Sequence, residues 1–139
     1  MSEKALNYLS LARKGGKAEL GEEPVGGVAR AGKAYLILAA SDCSDHTWRR
    51  AKSYVAGTQQ QCIRLPYTKD QMGMAIGRQE LAMAAITDAS LALALVQALP
   101  EPAKYAAVAE ALAEKSKKLN QRKKEAQAHK KNVAMGKKK

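Results

Sequence analysis

Cys43 follows Asp42, and a thiol beside a carboxylate is the first arrangement in this chain that could do covalent chemistry. A cysteine nucleophile needs a base to take its proton, and no histidine partner can be identified for it, so the spacing favours a small buried thiol. His46 and His129 lie in different parts of the chain and lack the clustered ligands a metal site requires. They are expected to be an exposed histidine at a helix start and a tail residue, with no metal. Asp42 and Asp45 suit caps and turns better than a paired acid and base. The glycines Gly15-Gly16, Gly26-Gly27 and Gly73 to Gly77 match neither G-x-G-x-x-G nor a phosphate-binding loop ending in Gly-Lys-Ser/Thr. No catalysis and no cofactor are expected.

What remains is binding. The chain has 139 residues, and 24 Lys and Arg against 13 Asp and Glu give a net charge of +11. Such an excess points to nucleic acid or another anionic surface. Residues 1–99 carry only +3 of it, whereas residues 100–139 carry +8. From Lys115 onward there are eleven basic groups and one acid, Glu125. That run cannot be a core, and it predicts polyanion contact through Lys117, Lys118, Arg122, Lys123, Lys124, Lys130 and Lys131. On the core, Lys14 and Lys17 flank the first glycine pair, Arg30 and Lys33 follow the second, and Arg78 follows Gly77.

Size and composition narrow the frame that must position these residues. The length suits one domain. Apolar residues make up 46%, but there is no Phe and only 4% is aromatic, so the core must be built from Ala, Leu, Val, Ile and Met. The scattered aromatics argue against the clustered stacking platform of a sheet-type RNA reader. Cys43 and Cys62, nineteen residues apart without a Cys-x-x-Cys spacing, fit a reduced cytoplasmic protein. The longest mainly apolar stretch, Ala89 to Leu99, is about half a membrane span. No targeting segment or membrane contact is expected.

Along the chain, helical and strand patterns alternate. Ala5 to Ala12 predicts a helix closed by Gly15-Gly16, and Lys17 to Leu20 a short strand. Residues 22–31 suit a helix begun by Glu22, Glu23 and Pro24, although Gly26-Gly27 costs about 1 kcal/mol per glycine relative to Ala. Tyr35 to Ala40 is a continuous apolar run, the habit of a strand covered on both faces. Ser41 to Ser44 offer caps for a helix to about Ala56, and Cys62 to Leu65 is the next strand. Thr68 or Asp70 caps a short helix ended by Gly77, Leu81 to Ile86 is a further strand, and Asp88 to Leu99 a further helix. This order predicts a three-layer α/β/α sandwich around a small mixed four-stranded sheet. Pro100-Glu101-Pro102 breaks the pattern and marks the expected boundary between a domain of residues 1–99 and an extension of 100–139. The extension predicts a basic helix to about His129, with Lys137-Lys138-Lys139 unstructured. Tyr105, Val108 and Leu112 form a stripe for docking on the core or on a partner.

Five segments occur together in an order that resembles a known family: Leu9-Ser-Leu-Ala-Arg-Lys-Gly-Gly-Lys17, Gly21-Glu-Glu23, Gly32-Lys-Ala-Tyr-Leu-Ile-Leu-Ala39, Ser41-Asp-Cys-Ser44 and Met72-Gly-Met-Ala-Ile-Gly77. On them the chain is similar to the ribosomal protein L-seven-Ae/L-thirty-e superfamily, most of all to its bacterial YlxQ-like branch, over about residues 4–99. The resemblance implies a non-catalytic protein that binds kink-turn or related structured RNA, often within the ribosome. It implies that Gly21 delivers the next helix N-terminus to RNA, where backbone N–H groups meet phosphate. It implies a second RNA-facing loop at Gly77 to Leu81, with Arg78 and Gln79 at base edges or backbone and Arg30 and Lys33 supporting the same surface.

The family's kink-turn readers carry Asn and Glu, or other polar residues, second and third after that glycine and Lys sixth after it. Here those positions hold Glu23, Pro24 and Gly27. Pro24 has no side-chain donor or acceptor, and the Glu23 carboxylate accepts from a base amino group but repels phosphate. The expectation is an RNA-binding, ribosome-associated protein, monomeric when free, with ribosomal RNA and ribosomal proteins as partners and its basic tail on phosphate. Two alternatives stay open: a protein-interaction module using the Tyr105 stripe, and an accessory to an RNA-modifying enzyme.

Overall fold

The computed structural model describes residues 4–136, with side chains as far as Glu125 apart from Lys123. The side chains of Lys123, His129, Lys130 and Lys131, and the segment Lys137 to Lys139, lie outside the described residues.

Helix α1 (Lys4–Lys14) leads into strand β1 (Ala18–Leu20), helix α2 (Glu22–Arg30), strand β2 (Leu36–Ala39), helix α3 (Asp45–Val55) and strand β3 (Gln61–Arg64). Helix α4 (Lys69–Ala75), strand β4 (Met83–Ile86) and helix α5 (Ala89–Gln97) complete the alternation. The sheet has the order β1-β4-β2-β3, with β4 antiparallel to both its neighbours and β2 parallel to β3. This is the mixed four-stranded sheet expected.

Its two faces follow from the period of two along a strand. Leu36 and Leu38 of β2, with Ala84 and Ile86 of β4, pack with Leu9, Met72, Leu95 and Val96 from α1, α4 and α5. Ile37, Met83 and Ala85 point the other way, onto Val25 and Ala29 of α2 and Ala51 of α3. Every residue of β2 is fully buried, as a strand covered by helices on both sides must be. The caps are those the residue types demand: Ser44 Oγ accepts from Thr47 N–H at 3.1 Å, and Asp88 Oδ2 from Leu91 N–H at 2.9 Å. Thr68 and Gln71 form a reciprocal capping box at α4.

Helix α2 forms despite Gly26-Gly27, and the reason is tertiary. A Cβ on Gly26 would stand 3.0 Å from Tyr54 Oη and 3.1 Å from its Cζ, so the missing side chain lets α3 lie close. Tyr54 Oη donates to the Glu22 carbonyl at 3.4 Å across the same contact.

At Pro100 the chain turns rather than leaving the core. Glu101 adopts a left-handed φ of 53°, a 3-10 turn spans Pro102–Tyr105, and helix α6 (Ala106–Gly136) runs back along α5. Leu112 is 1% exposed within the cluster of α1, α4 and α5, with Tyr105 and Val108 packed against it. Ser116 Oγ lies 2.9 Å from Ser90 Oγ, near the start of α5. The apolar stripe is thus occupied by the core itself, and the first half of α6 is part of the packing unit.

Candidate nucleic-acid interface

One end of the sheet is built by Gly21. Its N–H stays on the sheet, donating to the Met83 carbonyl at 2.9 Å, while its carbonyl accepts the first helical bond of α2 from Val25 N–H at 3.0 Å. Between these bonds φ is 97°, a value that strains any residue with a Cβ. Gly21 has no side chain to cap the helix and Pro24 has no N–H. The amides of Glu22 and Glu23 are therefore the donors left at the α2 N-terminus, where the helix dipole adds positive potential. Glu23 is exposed beside them. The Glu22 carboxylate turns to α3, with Oε2 3.9 Å from Arg50 Nη1, and its Oε1 is buried without a hydrogen-bond partner.

The loop Gly77 to Leu81 arrives at the same end because β4 begins there and runs antiparallel to β1, with Leu20 opposite Ala84. Three contacts hold it. Arg78 N–H donates to the Gly73 carbonyl at 2.8 Å, Leu81 N–H donates to the Lys69 carbonyl at 3.0 Å, and Leu81 itself is buried. Gly73 allows the approach: a Cβ there would lie 2.6 Å from Glu80 Cα and 2.9 Å from the Arg78 carbonyl oxygen. Arg78 and Gln79 are exposed at the crest. The exit of β2 closes this end, where Asp42 Oδ1 accepts from Lys69 N–H at 2.8 Å and so acts as the cap its type suggests.

The structure brings Gly21, Glu22, Glu23, Arg78 and Gln79 together, but Arg30 and Lys33 do not support that surface. Helix α2 rises about 12 Å between Glu22 and Arg30, and this carries the chain to the opposite end of the sheet. There Lys33 N–H donates to the Val28 carbonyl, Thr87 N–H to the Lys17 carbonyl and Tyr35 N–H to the Ile86 carbonyl. Lys14 and Lys17 belong to this second end as well. So does Lys115, whose Nζ donates to Gln59 Oε1. Beyond it Lys117, Lys118, Arg122 and Lys124 are exposed on α6, which continues about 30 Å past Ser116. Two roles at this end are set by the fold: Gly73 as a close contact and Arg50 as the partner of Glu22. Gly73 sits inside the Met72 to Gly77 motif, whereas nothing local marks Arg50.

Cys43 is buried, and its carbonyl accepts from Arg64 Nη2 at 3.3 Å. The Arg64 guanidinium lies 5.2 Å over Trp48, which also receives Lys52 at 5.6 Å. Burial pushes the Cys62 thiol up to about 12 from 9.0, with Lys52 opposing it. An unfolded chain would ionise this thiol above pH 9.0, whereas the folded chain keeps its proton until about 12. The folded state therefore binds more protons in that window, and stability falls as pH rises through it. The urea midpoint should hold below pH 9 and decline above it, and Cys62→Ala should flatten the decline. His46 is exposed as the second residue of α3. Among the described residues no three His, Cys, Asp or Glu side chains cluster as metal ligands, and no helix is long and apolar enough to cross a membrane.

No family model and no curated protein matches the chain. Among solved structures it is similar to a protein of unknown function from Bacillus halodurans, with 25% identity and a TM-score of 0.65 over 70% of this chain and 97% of that one. It is also similar to a Giardia lamblia 15.5 kD RNA-binding protein, with 16% identity and a TM-score of 0.60 over 78% of this chain and 92% of that one. Strand order, layering and these likenesses together make the chain an α/β/α sandwich of the L-seven-Ae-like fold.

Proposed function

We propose that this chain is a non-catalytic RNA-binding protein of the L-seven-Ae/L-thirty-e superfamily, of its YlxQ-like branch, which docks folded RNA of kink-turn type at the Gly21 end. The observation that carries this reading is the pair of uncapped amides at Glu22 and Glu23, set at the same end as the exposed Arg78 and Gln79 by the positive φ of Gly21 and the close approach at Gly73. Free N–H groups at a helix start suit phosphate, and an Arg–Gln crest suits backbone and base edges. The Giardia protein of the same fold, described as RNA-binding, supports the same partner class. The Lys117 to Lys131 run anchors to phosphate, with ribosomal RNA as the RNA and ribosomal proteins as neighbours. The free chain is a monomer and works in the cytoplasm, in keeping with two free cysteines.

A salt-resolved titration of the full chain against a kink-turn RNA and a control with its G·A pairs replaced tests this. Tighter binding of the kink-turn, reduced by Arg78→Ala, is expected; equal binding of both RNAs would sink the specific reading. Gly27 supplies a gain-of-function arm. A Cβ there meets nothing within 4 Å, so Gly27→Lys fits without repacking and restores a cation to the α2 face. It should raise kink-turn affinity several-fold and steepen the salt slope by about one phosphate contact. The rival reading of α6 as a protein-docking stripe has lost its surface, because Leu112 is buried in the core.

A further inference from the structure

At the Lys33 end, α6 meets the core over an open cleft of about 350 Å³ lined by Arg30, Gly32, Tyr35, Gln59, Gln60 and Lys115. We propose that this cleft and the adjoining face of α6 form a second RNA-backbone site, independent of the Gly21 end, so that one molecule holds two RNA segments. The inference rests on the reading of the Gly21 end only for the identity of the first segment.

Three observations carry it. First, the cations are unspent: among the described residues the ion pair is Arg50 with Glu22, and Arg30, Lys33, Lys117, Lys118, Arg122 and Lys124 have no carboxylate within bonding distance. Glu19, which lines a neighbouring cleft with Lys33, makes no ion pair with it. Second, the cleft is joined to the helix. Lys115 reaches across to Gln59, and Ser116 meets Ser90, so the phosphate-seeking run starts from a docked root. Third, the two ends cannot converge on one short stretch of backbone. Arg122 lies about 24 Å along α6 from Ala106, in the direction that leaves the Gly21 end behind.

The chemistry selects a nucleic-acid backbone over a bilayer surface. Between Lys117 and Glu125 the sole apolar residue is Leu119, so this stretch has no apolar face to bury in a bilayer. Lys118 and Arg122, three and seven residues after Lys115, share its face of α6 and space cations about one turn apart along a phosphate backbone, whereas Lys117 and Lys124 line a separate groove with Leu93. Tyr35, half-buried, lines the cleft with Arg30 and Lys115.

The test uses the full chain in a one-to-one complex with donor-labelled kink-turn RNA, titrated with an acceptor-labelled plain RNA duplex of about two helical turns. Energy transfer without release of the kink-turn RNA is expected. Lys33→Glu with Lys115→Glu should weaken duplex binding about tenfold and leave the kink-turn affinity unchanged. The neutral pair Lys33→Gln with Lys115→Gln should act in the same direction and more weakly, which separates charge from damage to the fold. Displacement of the kink-turn RNA by stoichiometric duplex, or duplex affinity indifferent to both pairs, overturns the proposal. So does capture by phosphatidylserine vesicles that outcompete the duplex. Duplex binding that responds to the Lys33 and Lys115 variants, in a chain that ignores the kink-turn, supports this second site and removes the reading of the Gly21 end.

Discussion

Gly73→Ala should lower the stability of the protein by about 2–3 kcal/mol, against the gain of about 1 kcal/mol that Gly to Ala gives in an exposed helix interior. The added methyl would sit 2.6 Å from Glu80 Cα and 2.7 Å from Glu80 N. These are backbone atoms with no rotamer to change, so the loop that carries Arg78 and Gln79 must move. The urea midpoint should fall, and kink-turn binding should weaken about tenfold, roughly the cost of losing one charged contact. Gly27→Ala is the control. With open space around its Cβ, it should raise stability by about 0.5–1 kcal/mol. Equal effects at the two positions would mean that the loop does not rest on α4.

Removing the C-terminal extension should have opposite consequences depending on the cut. A chain ending at Leu99 loses Leu112, and deleting that side chain alone, as Leu112→Ala, is expected to cost about 2–5 kcal/mol. Against a total stability of about 5–15 kcal/mol, loss of the whole docked half of α6 should leave no cooperative thermal transition. A chain ending at Asn120 keeps Leu112 and Ser116 and sheds eight cations. Its unfolding should match the full chain within about 0.5 kcal/mol, while its salt slope for RNA drops by several units. Circular dichroism and a salt-resolved titration on the same samples check both halves. A folded chain ending at Leu99 would contradict the packing of α6.

Much of this architecture was legible locally. Tyr35 to Ala40 is apolar on both faces, and Leu36–Ala39 is the strand buried on both. Ser44, Thr68 and Asp88 cap where their types and spacing demand. What escaped was set by long-range contact. Gly26 looks like a helix breaker until Tyr54, 28 residues on, is placed against it. Leu112 belongs to a stripe expected on the core or on a partner, and only the fold decides between them, by seating it in the core. Arg30 and Lys33 fall near Gly21 in sequence, yet one nine-residue helix carries them to the other end of the sheet. Of the expected RNA-facing residues, those brought together at the Gly21 end lie next to glycines with special backbone roles. Charge alone does not report on which end it stands.

The most direct measurement of the central claim is a map of backbone amide shifts of the full chain as kink-turn RNA is added at physiological salt. The account predicts the largest changes at Gly21, Glu22 and Glu23 and at Gly77 to Gln79, with smaller ones along α6. Changes confined to residues beyond Lys115, with the Glu22 and Glu23 amides unmoved, would contradict it.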